Sequence, residues 1–257
     1  MPPAEWTRSL IFIGMDTPGI LHLLQTGTIE LQGLLPWSSN YSFLVDVKGE
    51  EGEITAVYKP RQGERPLWDF PNGTLCQREV AAYHVSAGLG WYLVPPTVLR
   101  RGPHGIGSVQ YFIPHDPECH YFTFEGSPDF RRVLQQIVLF DIIINNADRK
   151  SGHVLIEESE NHQQLNRLWT IDHGICFHEE YKLRTVIWEF AGQPIPQDLL
   201  ADLVHFQSRL RVDYFPILQK LLSSAELLAL EKRLKRIIKS PTFVQPGPGR
   251  HYPWPPV

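Results

Sequence analysis

The chain has 257 residues, 42% of them hydrophobic, and a formal net charge of −4. That length and apolar content suffice for one large domain or two small lobes, and the charge excludes a broad basic footprint, so nucleic acid is not an expected partner. Cys76, Cys119 and Cys176 show no CxxC spacing and are odd in number, which argues against a disulfide framework or a zinc site and for a reducing, cytoplasmic setting.

Only four consecutive apolar residues follow Arg8, too few for a signal-peptide core or a bilayer span. No transmembrane segment is expected. Thr17 is placed to cap a short helix that opens on Pro18 and runs to Gly27. Residues 28–35, 41–48 and 53–59 read as strands from their β-branched, aromatic and alternating residues, and GEEG joins the last two as a hairpin. Between the first two lies PWSSN, where Ser38, Ser39, Asn40 and backbone N–H groups can meet phosphate oxygens. On the residues alone a plain hairpin turn accounts for it better, because Ser and Asn are ordinary turn residues.

Lys59 closes the strand ITAVYK, where its ammonium faces either a cleft, as a point charge for phosphate, or solvent. Residues 75–87 have helical spacing at Val80, Tyr83 and Ala87, and Gly88 closes the run. Glu79 lies beside that apolar face, either paired with Lys59 or exposed. Two more strands, 97–99 and 107–113, flank RRGPHG. The following loop holds His115, Asp116, Cys119 and His120 in a spacing that fits no zinc template, so a solvated loop is expected.

From Asp129 the period becomes helical. Val133, Leu134, Ile137, Val138 and Ile142 share one face, with Ser127, Pro128 and Asp129 at its start. Asp141 interrupts that face, and a carboxylate there must be hydrogen-bonded or charge-paired; it is expected to tie down the next loop. Short strands follow at 153–157 and 167–171, then helices at 197–210, 213–222 and 225–239. The last is amphipathic through Leu227, Leu230, Leu234 and Ile237, leaving Lys232, Arg233, Lys235, Arg236 and Lys239 either to meet an anionic surface or membrane headgroups or, the better account for cations near a helix C-terminus, as a solvated basic face. Residues 241–257, rich in Pro and Gly, form an extended or disordered tail.

Two acidic residues stand at the ends of apolar elements, Asp148 in FDIIINNADRKSGH and Asp172 in WTIDHGI. Together with the lysine strand, the glutamate helix and the connecting strand, this order of parts resembles the protein-kinase-like fold. The resemblance is closest to the phosphatidylinositol 3- and 4-kinase-like branch, whose catalytic loop reads DRxxxN and whose metal segment reads IDFG; here they read DRKSGH and IDHG. It spans residues 31–222, and the chain is also similar to small bacterial proteins described as phosphatidylinositol-kinase-related. The step of 24 residues from Asp148 to Asp172 accommodates one β-hairpin that returns both carboxylates to one end of a cleft.

The resemblance implies an α+β, two-lobed fold: an antiparallel-sheet N-lobe (1–113), a mainly helical C-lobe (114–240) and a tail (241–257). It implies transfer of the γ-phosphoryl of metal-ATP to a hydroxyl of a protein or small molecule. Lys59 would hold the α- and β-phosphates and Glu79 would orient it. Ser38, Ser39 and Asn40 would cover the phosphates, and the backbone of Gln110, Tyr111 and Phe112 would meet the adenine. Asp172 would bind the divalent metal, Mg²⁺ or Mn²⁺, and Asp148 would receive the acceptor's proton, with Lys150 beside it. Two departures stand out. His153 occupies the place of a metal-binding Asn, and Lys150 that of a His; imidazole suits Mn²⁺ better than Mg²⁺. These departures leave two alternatives open, a catalytically silent nucleotide- or partner-binding pseudokinase and a nucleotidyl transferase. Lys182 and Arg184 in FHEEYKLRT can meet a phosphorylated head group or lie in an ordinary solvated loop, and the short loop points away from a lipid acceptor.

Overall fold

The structure, a computed structural model, describes residues 15–35, 40–157 and 166–257. The first helix, α1 (Thr17–Thr26), is capped by Asp16 rather than Thr17: the Asp16 carboxylate accepts the Gly19 N–H at 2.9 Å, and Thr17 already lies inside the helix. An extended residue with an acceptor side chain is what the free N–H groups of the first turn require. Strands β1 (Thr28–Leu34), β2 (Phe43–Gly49) and β3 (Gly52–Pro60) form a meander, and Gly49 pairs with Gly52 across the Glu50-Glu51 turn.

Helix α2 (Leu75–Gly88) then leads to β4 (Thr97–Gly102) and β5 (Gly105–Tyr111). The five strands are antiparallel in the order β1-β2-β3-β5-β4. Val45, Val47, Ile54, Ala56, Tyr58, Val98 and Val109 bury one face against Leu23 and Leu24 of α1. Gly88 ends α2 for a packing reason rather than as a cap. A Cβ there would stand 2.6 Å from the Phe206 ring and 2.8 Å from the Tyr214 ring, so only a glycine admits this close approach.

The second lobe contains α3 (Tyr121–Phe124), α4 (Arg131–Ile144), the hairpin β6 (Val154–Glu157) and β7 (Arg167–Thr170), then α5 (Gln197–Arg209), α6 (Phe215–Leu218) and α7 (Ser224–Lys239). A 3₁₀ turn, Pro128–Phe130, precedes α4, and no side chain caps that helix. The expected helix at 213–222 is not regular. A π turn over Leu210–Tyr214 continues α5, and α6 is four residues long. Pro216 has no N–H to give to the preceding turn, which removes one helical bond at that point.

One large core joins α2, α4, α5 and α7. Leu227, Leu230, Leu234 and Ile237 are all buried in it, as their spacing requires. Arg233, however, leaves the basic face: its Nε donates to Ile143 O at 2.8 Å and its Nη1 to His178 O at 3.1 Å. The exposed cations of α7 are therefore Lys232, Lys235, Arg236 and Lys239.

Residues 241–257 are extended, as read from composition, but they lie against the C-lobe with Phe243 buried. The 115–120 loop is held by turn bonds such as Glu118 N–H to Asp116 Oδ1 at 2.9 Å. Among the described residues no helix is long and apolar enough to cross a membrane.

Candidate active site

Lys59 stands at the end of β3 with its ammonium between two carboxylates. Its Nζ lies 2.5 Å from Glu79 Oε1 on α2 and 3.1 Å from Asp172 Oδ1, just past β7. The other oxygen of Glu79 accepts the His173 backbone N–H at 2.9 Å. One buried carboxylate thus ties the lysine strand to the segment after β7. Burial alone would lower the Lys59 pKa, but Asp172 and Glu79 outweigh it and hold the ammonium above its ordinary value. The same ammonium holds Asp172 well below the usual carboxylate range. Asp172 is a non-glycine residue at φ 60°, a sparsely populated left-handed conformation, and its side chain remains 43% exposed at the cleft.

The loop after α4 carries Asp148 and His153. Asn145 ends the helix in a left-handed conformation at φ 55°, and the Asp148 N–H bonds back to Asn146 Oδ1 at 3.0 Å. Burial raises the Asp148 carboxyl to about 6, with Asp172 adding to the rise, while Lys150 opposes it from 3.6 Å. Burial pushes His153 down to about 4, so its imidazole is neutral near pH 7. His153 Nδ1 lies 3.0 Å from Asp148 O and also faces the Lys150 N–H at 3.4 Å, while Nε2 stands 3.4 Å from Asp172 Oδ2.

Beneath the loop, the Arg149 guanidinium spans three segments. It pairs with Asp141 in α4, donates to His153 O at 3.2 Å and Ile171 O at 2.9 Å, and meets His173 Nε2 at 2.8 Å. Because arginine only donates, His173 must accept on Nε2, and burial keeps its imidazole neutral. Asp141 ties down the loop as its buried position demanded, through a residue that sequence reasoning had left without a role. A buried carboxylate eight positions before an arginine was the available signal.

Lys59, Glu79, Asp148 and Asp172 line one cleft together with Asn40, Tyr41 and Glu64. Asn40 Oδ1 accepts the Arg65 N–H at 2.8 Å, whereas Ser38 and Ser39 lie outside the described residues. Gln110, Tyr111 and Phe112 are not among this cleft's lining. The Gln110 amide is engaged by Thr97 Oγ1 at 2.9 Å, Tyr111 N–H by Pro96 O, and Phe112 N–H by Thr55 O.

Glu64, absent from the sequence-based set, accepts the N–H groups of Leu75 and Cys76 at 3.0 and 2.8 Å and so caps α2. Its distance from the helix in sequence gave no local sign of this. The 177–185 loop is pinned rather than freely solvated. Asn145 donates to His178 O and Glu180 O and accepts from Lys182 N, and Lys182 pairs with Asp69 at 3.0 Å. Among the described residues no three His, Cys, Asp or Glu side chains converge into a closed metal cage.

A model of the phosphatidylinositol 3- and 4-kinase family matches residues 100–222. Protein Rv2133c of Mycobacterium tuberculosis (strain ATCC 25618 / H37Rv) is 35% identical over 270 residues, covering 91% of this chain and 94% of its own length. Phosphatidylinositol 4-kinase gamma 4 of Oryza sativa subsp. japonica is 30% identical over 216 residues, covering 69% of this chain but 37% of that protein. The chain thus spans little more than a third of the plant kinase. Among solved structures, the Golgi casein kinase superposes with a TM-score of 0.55 at 17% identity, over 88% of this chain and 76% of that one. The same kinase with Mn/ADP bound gives 0.53 at 18% identity with the same coverage. These structural likenesses establish a two-lobed kinase-like fold.

Proposed function

We propose that this chain, which belongs to the phosphatidylinositol 3- and 4-kinase-like branch of the protein-kinase-like fold, is a metal-ATP-dependent phosphotransferase acting on a hydroxyl acceptor. The observation that carries the reading is the Lys59 ammonium held between Glu79 and Asp172 at the mouth of a cleft that also contains Asp148. Lys59 binds the α- and β-phosphates as a point charge, and Glu79 fixes its position from behind. Asn40, which lines the cleft, would face the phosphates. The adenine would sit beside the backbone of Gln110, Tyr111 and Phe112, where the Tyr111 and Phe112 N–H groups are already engaged within the chain.

Asp172 and His153, through Nε2, would hold the divalent metal. Two protein donors suit a cation that takes its remaining ligands from phosphate oxygens and water. When bound, the metal neutralises charge on the transferring phosphoryl group, which needs cations more than covalent chemistry. The acceptor hydroxyl oxygen attacks the γ-phosphorus, the bond to the β–γ bridging oxygen breaks, and ADP leaves. The hydroxyl proton passes to the Asp148 carboxylate, and Lys150 beside it steadies that charge. Lys182 is paired with Asp69 and lies over the Trp68 ring, so it is not free for a lipid head group. That supports a protein or small-molecule acceptor.

The test is incubation of the full chain with γ-labelled ATP, Mn²⁺ or Mg²⁺, and a cell extract as acceptor source. Metal-dependent labelling that disappears in Asp172→Ala supports the reading. ATP binding without turnover would instead indicate a pseudokinase, and label arriving from the α-phosphate a nucleotidyl transferase.

A further inference from the structure

The backbone of the proposed catalytic loop has one amide satisfied from outside the catalytic core. Asn146 N–H donates to Asp141 O, Ala147 to Ile175 O, Asp148 to Asn146 Oδ1, Arg149 to Arg184 O, and Lys150 faces His153 Nδ1. The buried Ser151 donates its N–H to Pro256 O at 2.9 Å. The neighbouring 183–186 segment repeats the pattern. Buried Thr185, which bridges to Arg149, donates its N–H to His251 O at 3.1 Å. A buried N–H without an acceptor is costly, so each segment depends on the Pro/Gly-rich stretch for its closed arrangement.

That stretch is anchored before it reaches the loop. Phe243 is buried against Phe190 at 5.6 Å between ring centres, and it exchanges backbone bonds with Gly192 and Gln193. Further on, Trp188 meets the His251 ring edge-on at 5.9 Å, and Pro253 is buried. Six prolines between 241 and 257 restrict the free chain, which lowers the entropy lost on laying it down.

We infer that residues 250–256 are a strap that positions the catalytic loop, closing the Ser151 and Thr185 amides and so setting where Asp148 stands relative to Lys59 and Asp172. The inference rests on the phosphotransferase reading for its kinetic consequence alone; the structural consequence is independent of it. The partners of Lys59 and Glu79 are each other, Asp172 and the His173 N–H rather than the strap, so loss of the strap should act on the transfer step more than on ATP affinity.

Two full-length variants test this. Pro253→Asp sets a charge at a buried position of the strap. Ser151→Pro puts a ring in place of the donated hydrogen, at a residue whose predecessor is already in the extended conformation proline prefers, φ −88° and ψ 165°. Hydrogen exchange should quicken in both variants at Thr185 and Arg149, and also at Ser151 in Pro253→Asp. In both, kcat should fall at least about tenfold, as a misplaced reacting group predicts, while KM for ATP stays within about twofold. Unchanged protection at Thr185 and Arg149 in either folded variant would overturn the strap, as would faster exchange with unaltered kcat. If the parent chain transfers no phosphoryl group, the phosphotransferase reading fails by itself. The exchange measurement then decides the strap alone, with lost protection at Arg149 supporting it and retained protection refuting it. If one variant does not fold, the other carries the test.

Discussion

Arg149 and Asp141 form an ion pair with neither side chain exposed: Nη2 to Oδ1 and Nε to Oδ2 are each 2.9 Å. The remaining donors of the guanidinium hold the carbonyls of His153 and Ile171 and the ring of His173. The end of α4, the loop after it and the segment after β7 are therefore locked together through one side chain. Removing it leaves a carboxylate buried without a counter-charge. Arg149→Met should cost about 3–5 kcal/mol, measured by urea unfolding. The double variant Arg149→Met with Asp141→Leu should recover a large part of that loss, because the uncompensated charge is gone. A single-variant loss below about 1 kcal/mol would mean that water or another cation reaches Asp141.

Lys59→Met removes the point charge between Glu79 and Asp172 while keeping the length of the side chain. Transfer should drop on the order of 100-fold or more, as with loss of a preorganised charge at a reacting phosphate. Thermal stability should fall as well. Glu79 would then be buried without its ammonium, so Lys59→Met combined with Glu79→Gln serves as the stability control. Retained activity in Lys59→Met would remove this residue from the phosphate site.

Metal preference follows from the His153 donor. Imidazole favours Mn²⁺ over Mg²⁺, which prefers oxygen ligands. Turnover with Mn²⁺ should exceed turnover with Mg²⁺, and His153→Asn should shift the ratio towards Mg²⁺. Chelation should abolish transfer with either ion. Equal rates in the parent chain would count against His153 as a ligand.

The C-lobe carries an acid-sensitive contact far from the cleft. Arg211 donates to both oxygens of Glu231 at 2.9 and 2.6 Å, and Lys235 lies 2.8 Å away. Arg211, aided by Lys235, holds the Glu231 carboxyl down at about 2, below its ordinary 4.5. A depressed folded-state pKa gives stability that is complete above the unfolded value and is lost as protons bind the folded form. This contribution should therefore fade as pH drops from about 4.5 to about 2. Thermal midpoints measured across that window should fall less steeply in Glu231→Gln than in the parent chain.

Much of this protein was legible from local pattern. The β2–β3 hairpin, the α4 face and the apolar stripe of α7 follow from side-chain periodicity, which repeats within a few residues, whereas α2 is buried on nearly every side and not on one face. Asp141 announced its need for a partner because a carboxylate on an apolar helix face is costly. Elements failed where nearest-neighbour signals were weak or overridden. Pro216 broke a run that otherwise reads as helix, and Asp16 capped α1 in place of Thr17.

The sequence by itself determined the elements, the two-lobed order of parts and the carboxylates at their ends, because burial and backbone hydrogen bonding act over short stretches of chain. Only the tertiary structure decided which side chains meet. Arg149 at the centre of three segments, Glu64 capping α2, Arg233 turned into the core and the Pro-rich stretch bonded to Ser151 and Thr185 all depend on contacts between residues far apart in the chain. Backbone groups and guanidinium donors seek any acceptor that folding brings near. No spacing rule along the chain encodes that proximity.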